Sequence, residues 1–174
     1  MQDVLLDAVV ETDYGQLTIE WDEHLGGGDP LPHFAGQANG LAGAARPGML
    51  WLILARRSGG SAVRIELGDD EPALEPSAED VVEVSVSIAE GSRPRWVSWA
   101  AEESGPLAIP PGDYRVRVSA WGRDAGQAGE FADVVVDRYL VEFWPSAIRS
   151  DAVIRSTSLD AAYWHSAWVS RPSG

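Results

Sequence analysis

Alternation of apolar and polar residues runs through much of this chain and restricts the folds open to it. Within residues 81–88 the apolar positions Val82, Val84, Val86 and Ile88 alternate with Glu83, Ser85 and Ser87. The same period of two recurs at 63–67, 114–120 and 139–143. Because successive side chains of a β-strand point to opposite faces, the pattern predicts antiparallel strands with one face buried and the other open to solvent.

The sequence predicts an all-β fold of about eight strands. They lie near residues 4–11, 15–21, 49–56, 62–67, 81–88, 95–101, 113–121 and 134–144. Turn-forming residues separate them, and Ser58-Gly59-Gly60-Ser61 predicts a hairpin between two of them. Short strands at this spacing favour an antiparallel β-sandwich of the jelly-roll kind, with an open barrel as the alternative. The length of 174 residues fits a single domain spanning 1–174.

Two segments depart from the alternating pattern. Residues 24–48 are rich in Gly, Pro and Ala and predict a long connection, with a short helical turn at 35–45. Residues 157–168 predict a short C-terminal helix, with Thr157 or Ser158 as its N-cap.

No catalytic or cofactor motif stands out in the sequence. The chain has no cysteine, which excludes disulfides, Cys-liganded zinc, iron–sulfur clusters and thiol catalysis. It also lacks a Gly-x-Ser-x-Gly nucleophile turn, a Gly-x-Gly-x-x-Gly fingerprint and a Walker loop. We therefore expect a protein that is not an enzyme and carries no cofactor.

Two groups of residues resemble metal ligands, but neither has the spacing of a known site. His24 and His33 accompany Asp22 and Glu23, yet zinc and iron need three or four converging ligands. The run that begins at Asp69 lacks the alternating acids of a calcium loop. We expect no metal, and we expect these histidines to lie on a loop surface.

The acidic residues are segregated along the chain, whose formal net charge is -14. Seventeen of the 27 acids lie in two stretches without a cation, residues 1–45 and 65–92. Charge of this size favours either solubility or a basic partner. The acids placed on loops are the predicted partner-binding residues: Asp22, Glu23, Asp29, Asp69, Asp70, Glu71 and Glu75.

This charge predicts a non-enzymatic acidic binding protein, an inhibitor or immunity protein that neutralises a basic toxin or nuclease. An acidic surface is repelled by phosphate backbones and anionic lipid, so we expect no direct nucleic-acid or membrane binding. The first residues have no basic segment followed by an apolar one, and no apolar run is long enough to cross a bilayer. These features predict a soluble, cytoplasmic protein.

The eight tryptophans support a different hypothesis, a carbohydrate-binding module or a glycan-active enzyme. Trp121 and Trp144 fall on the otherwise polar face of their strands and are the predicted exposed pair. Adjacent carboxylates such as Glu102 and Glu103 point to opposite faces of a strand, so a catalytic pair would have to come from different strands. A third hypothesis is a structural module that oligomerises through exposed strand edges.

One string carries a family resemblance. The segment Ile109-Pro110-Pro111-Gly112-Asp113-Tyr114-Arg115-Val116-Arg117, preceded by strands at 81–88 and 96–99, resembles bacterial proteins of the competence nuclease-inhibitor type, the ComJ-like family. The resemblance spans residues 15–121 and implies a small β-sandwich. Residues 137–145 and 161–165 resemble a stretch found in uncharacterised actinobacterial proteins of similar length.

Overall fold

The computed structural model describes residues 1–22 and 28–168 and shows a chain that is mostly β-structure. The described strands are β1 Gln2–Asp13, β2 Gln16–Glu20, β3 Ala42–Gly43, β4 Met49–Ile53, β5 Ser58–Gly68, β6 Asp80–Ile88, β7 Arg95–Ser98, β8 Ser104–Pro106, β9 Gly112–Trp121, β10 Arg138–Pro145 and β11 Ala152–Ser156. The helices are α1 Arg123–Ala128 and α2 Leu159–Ala167, with short 3₁₀ helices at Leu31–Phe34 and Trp99–Ala101. No helix in this part of the chain is long and apolar enough to span a membrane.

The strands form two sheets. The six-stranded sheet has the order β1-β5-β10-β9-β6-β11, and the five-stranded sheet has the order β3-β4-β2-β7-β8. Neighbouring strands are antiparallel except β5 and β10, which run parallel. The expectation of a wholly antiparallel fold is therefore wrong at this pair. No hairpin joins β5 to β10, so the connection does not impose an antiparallel direction.

Each of the eight predicted strands is present, but one predicted turn is wrong. Residues 58–61 form the first part of β5 and pair with residues 10–13 of β1. The preceding strand β4 belongs to the other sheet. Gly60 provides space here, because a Cβ atom on it would lie 2.6 Å from Val9 Cγ1.

The short strands β3, β8 and β11 were not predicted. They have two, three and five residues, too few to show a clear period of two. The predicted helical turn at 35–45 is also absent, and the connection instead contains a 3₁₀ helix at Leu31–Phe34. The C-terminal helix is confirmed: α2 begins after Ser158, whose hydroxyl accepts a hydrogen bond from the Ala161 amide.

Side chains from both sheets contribute to one hydrophobic core. The five-stranded sheet supplies Leu17, Ile19, Leu50 and Leu52, and the six-stranded sheet supplies Val63, Ile65, Val84, Val116 and Val141. Burying an aliphatic side chain of this size contributes about 1.5–3 kcal/mol each, so this shared core is a main source of stability.

The other face of the six-stranded sheet is polar, but much of it is covered. Arg115 and Arg117 of β9, which alternation predicts to be exposed, are each only 2% exposed. Arg115 donates to the backbone carbonyls of Arg149 and Ser150, and Arg117 donates to that of Pro72. Two segments outside the sheet therefore lie over this outer face, and one of them carries the second group of loop acids.

Candidate functional site

The acidic loop, residues 69–79, connects β5 to β6 along the outer face of the six-stranded sheet. It contains five carboxylates and no cation: Asp69, Asp70, Glu71, Glu75 and Glu79. All five residues are exposed. The loop therefore presents a concentrated negative charge to solvent.

Arg117 holds the first half of the acidic loop from beneath. Its guanidinium donates to the Pro72 carbonyl at 2.7 Å and to Glu71 Oε1 at 3.0 Å. On its other side it bonds Glu83 Oε1 at 2.9 Å, and it lies 5.1 Å from the Trp144 ring centre. The cation is thus buried under the loop, and the Glu71 carboxylate points back to it.

Arg155 and Trp121 hold the second half of the loop. Arg155 Nη1 donates to three backbone carbonyls within residues 75–78, at 2.6–3.3 Å. The indole Nε1 of Trp121 donates to Ser77 Oγ at 3.1 Å. The backbone of the loop is therefore held at several points, which lowers the conformational entropy that it would lose on binding.

A groove of about 480 Å³ runs beside the acidic loop across β1, β5, β10 and β9. Four carboxylates and two guanidinium groups line it: Asp7, Glu66, Glu75, Glu142, Arg64 and Arg138. Glu66 and Glu142 are buried in its floor. Burial raises the pKa of Glu142, and the charge of Arg117 partly opposes the rise.

The predicted acids of the second stretch differ in what they contact. Glu71 pairs with the buried arginine beneath the loop, so it supports the fold as well as the surface charge. Asp69 accepts a hydrogen bond from the Met1 amino group at 2.9 Å. Asp70 is exposed, and Glu75 is exposed at the edge of the groove.

The two described acids of the first stretch, Asp22 and Asp29, lie in the connection between β2 and β3. Asp22 follows β2 and shares a shallow depression with Arg93 and Arg95, which offset part of its charge. Asp29 accepts a hydrogen bond from the Leu31 amide at 3.0 Å, at the start of a 3₁₀ helix. Glu23 lies outside the described residues. The acidic loop is therefore the more concentrated of the two negative surfaces.

The predicted pair of exposed tryptophans is not present. Trp144 is 3% exposed and lies beneath the Arg117 guanidinium, so its prediction as a surface aromatic is wrong. Trp121 is half-buried, and the guanidinium of Arg138 stacks on its ring at 3.9 Å. These two rings serve packing and loop attachment, which removes the main support for a sugar-stacking surface.

The histidines do not form a metal centre among the residues that the structure describes, where no group of three or more suitable ligands converges. His33 is buried beside Trp51, with ring centres 5.3 Å apart, so its prediction as a surface residue is wrong. Burial is the main cause of its lowered pKa. His24 lies outside the described residues.

Sequence reasoning missed the acids of the groove floor. Glu142 lies opposite Arg117 of β9 and Glu66 of β5 in the sheet register. It occupies a polar position in the alternating stretch 139–143, and this position predicts that its side chain lies on the outer face of the sheet. The neighbouring strands, however, could not be assigned from alternation alone.

No protein-family model and no curated protein sequence matches this chain. Two solved structures are similar in fold. ComJ from Bacillus subtilis, an inhibitor of the DNA degrading activity of NucA, has a TM-score of 0.57 and 18% identity, over 84% of this chain and 99% of that one. The product of crocagin biosynthetic gene J has a TM-score of 0.55 and 18% identity over the same shares. The ComJ-like resemblance is thus confirmed as a likeness of fold.

Proposed function

We propose that this protein is a non-enzymatic acidic binding protein, an inhibitor or immunity protein that neutralises a basic toxin or nuclease. One observation carries the proposal: the acidic loop exposes five acidic residues and contains no cation, while Arg117, which holds its first half, lies buried beneath it. Such a surface attracts cations and repels phosphate groups.

A nuclease is the partner class that we favour. ComJ, which shares this fold, inhibits the DNA degrading activity of NucA. Enzymes that act on nucleic acid use Lys and Arg to bind phosphates, and a cationic cleft complements a cluster of carboxylates. The crocagin protein shares the fold as well, so the partner class rests on the charge as much as on the fold.

The mechanism has two steps. The acidic loop first steers the basic partner into contact, because complementary charge raises association rates. The preorganised loop then occupies the partner's cationic cleft and keeps its substrate out. No bond is made or broken in this protein, in agreement with the proposal that it is not an enzyme.

The same proposal extends to architecture and location. Because both sheets supply one hydrophobic core, we propose that they form a β-sandwich within a single domain spanning 1–174. We further propose that the protein acts in the cytoplasm, where a cysteine-free domain needs no oxidising environment.

Affinity capture from the source organism's own lysate tests the proposed function. At low salt we expect the immobilised protein to retain a basic protein that degrades nucleic acid, and we expect 0.5 M salt to release it. A bait in which Asp69, Asp70 and Glu75 are changed to lysine should retain much less. Failure to recover any basic protein at low salt would remove the support for this function.

A further inference from the structure

Glu142 in the groove floor carries an oxygen without a partner. Its Oε1 accepts a hydrogen bond of 3.2 Å from the Gln2 side-chain amide, while Oε2 has no hydrogen-bond partner among the described residues. The residue is only 4% exposed and lies in the floor of the groove. A buried carboxylate oxygen without a donor is unfavourable, so a donor that reached it would stabilise the carboxylate.

The neighbouring cations are engaged elsewhere. Arg117 lies opposite Glu142 in the register, but its hydrogen bonds go to Glu83, Glu71 and the Pro72 carbonyl. Arg64, on the other side of the groove, contacts Glu66 and Asp7 instead, each at 2.5 Å. Neither arginine therefore donates a hydrogen bond to Glu142, although the charge of Arg117 partly stabilises its carboxylate.

The charges around the groove favour a cation. Glu66 and Glu75 face the same space as Glu142, and their negative charges contribute to raising its pKa. Carboxylates outnumber guanidinium groups by four to two along the groove wall. A cation that entered here would relieve the repulsion among these carboxylates.

We propose that this groove is a binding site for a guanidinium group, which Glu142 holds through Oε2. A planar guanidinium offers several donors and matches a carboxylate edge to edge, whereas an ammonium is a compact point charge. A groove of about 480 Å³ also exceeds what an ammonium fills. The inference rests on the proposed function in one respect, since the natural source of the group would be an arginine of the basic partner.

Gln2 lies beside Glu142 in the groove. It is an exposed residue of the edge strand β1, and its 3.2 Å hydrogen bond to Glu142 is a long one. An incoming guanidinium would displace this amide and take over both carboxylate oxygens. Removing the Gln2 side chain should therefore leave guanidinium binding as tight as before or make it tighter.

The test uses N-acetyl-arginine amide as the probe and the Trp121 indole NH resonance as the reporter, because Trp121 lines the same groove. In the full chain we expect saturable shifts with this probe and none with the uncharged citrulline analogue. The lysine analogue should bind more weakly. Glu142→Gln should weaken binding at least about tenfold, the loss of one charge-assisted hydrogen bond. Glu90→Gln, at an exposed site elsewhere, should bind as the wild type does.

Equal affinity of Glu142→Gln and wild type would overturn the proposal, and so would absence of saturable shifts. Lysine binding as tightly as arginine would overturn the choice of guanidinium. A dispersed spectrum shows that Glu142→Gln is folded, and Gln2→Ala provides a second variant that opens the site without touching the carboxylate. Loss of binding in Gln2→Ala would also contradict the account.

A pH series adds a readout that a purely structural role would not affect. The carboxylate must be ionised to hold the cation, so binding should weaken as pH falls through the raised pKa of Glu142. The charged groups around it are Arg117, Glu66, Glu75, Asp7, Arg64 and Arg138. The loss of binding should occur at a higher pH than the titration of an ordinary glutamate would cause. The Glu142→Gln variant should not show this pH dependence. A fall confined to the ordinary glutamate range would contradict the assignment.

These measurements use no partner protein, so they separate the two proposals. If the probe binds but no basic partner is recovered, the site stands and the inhibitor function fails. If a partner is recovered but the probe does not bind, the inhibitor function stands and the guanidinium site fails.

Discussion

Replacing Arg117 with alanine is expected to lower the free energy of unfolding by about 3–5 kcal/mol, the usual effect of removing one partner of a buried ion pair. The arginine is 2% exposed and connects Glu83, Glu71 and the Pro72 carbonyl. Its loss leaves buried Glu83 with less compensation and removes the packing over Trp144. Urea denaturation followed by tryptophan fluorescence measures the change.

Arg57→Ala is the matched control for this prediction. Arg57 also pairs with a carboxylate, Glu130, but it is exposed, so its removal should lower the free energy of unfolding by less than about 1 kcal/mol. Hydrogen exchange provides a second readout, because amides of residues 69–79 should exchange faster when Arg117 no longer holds the loop. Equal destabilisation by the two variants, with unchanged exchange in the loop, would contradict the anchoring role.

Changing Asp69, Asp70 and Glu75 together to lysine is expected to slow association with the basic partner at least about tenfold at low salt. Electrostatic steering commonly contributes between ten- and a thousandfold to association rates. Glu71 is left intact, because a lysine there would face the buried Arg117 and disturb the fold. Stopped-flow or surface-plasmon measurements at several salt concentrations give the rate.

The control for this prediction is a second triple variant in which exposed acids away from the loop, Glu90, Glu102 and Asp133, become lysine. Both triples change the net charge equally, so only the position of the charge differs. The control should slow association much less, and the difference should shrink as salt rises. If both triples had the same effect, net charge alone would account for binding and the acidic loop would have no special role.

The strands were predictable because alternation is a local property. The alternation predicts one buried face formed by Val82, Val84 and Val86, whichever strands are its neighbours. All three are buried in the core. Strand direction and pairing are not local. The parallel contact of β5 with β10 joins segments separated by more than 60 residues, and nothing in either segment specifies the other.

The acidic loop was predicted as a loop with exposed acids, but the way in which it is held was not. Arg117 occupies a polar position in the alternating pattern of β9, which predicts an exposed side chain. It is buried because the acidic loop lies over it. The burial of Trp144 has the same cause, because Arg117 covers its ring. Arg155 lies 77–80 residues from the carbonyls that it contacts. Such contacts depend on the tertiary arrangement and leave no pattern in the sequence.

Titration of the captured basic partner with this protein tests the central claim most directly, by following the partner's degradation of DNA. The account predicts that DNA degradation falls in proportion to the protein added until none remains. The Asp69, Asp70 and Glu75 lysine variant should need far more protein for the same inhibition. DNA degradation that continues unchanged in saturating wild-type protein, with binding verified in the same sample, would contradict the account.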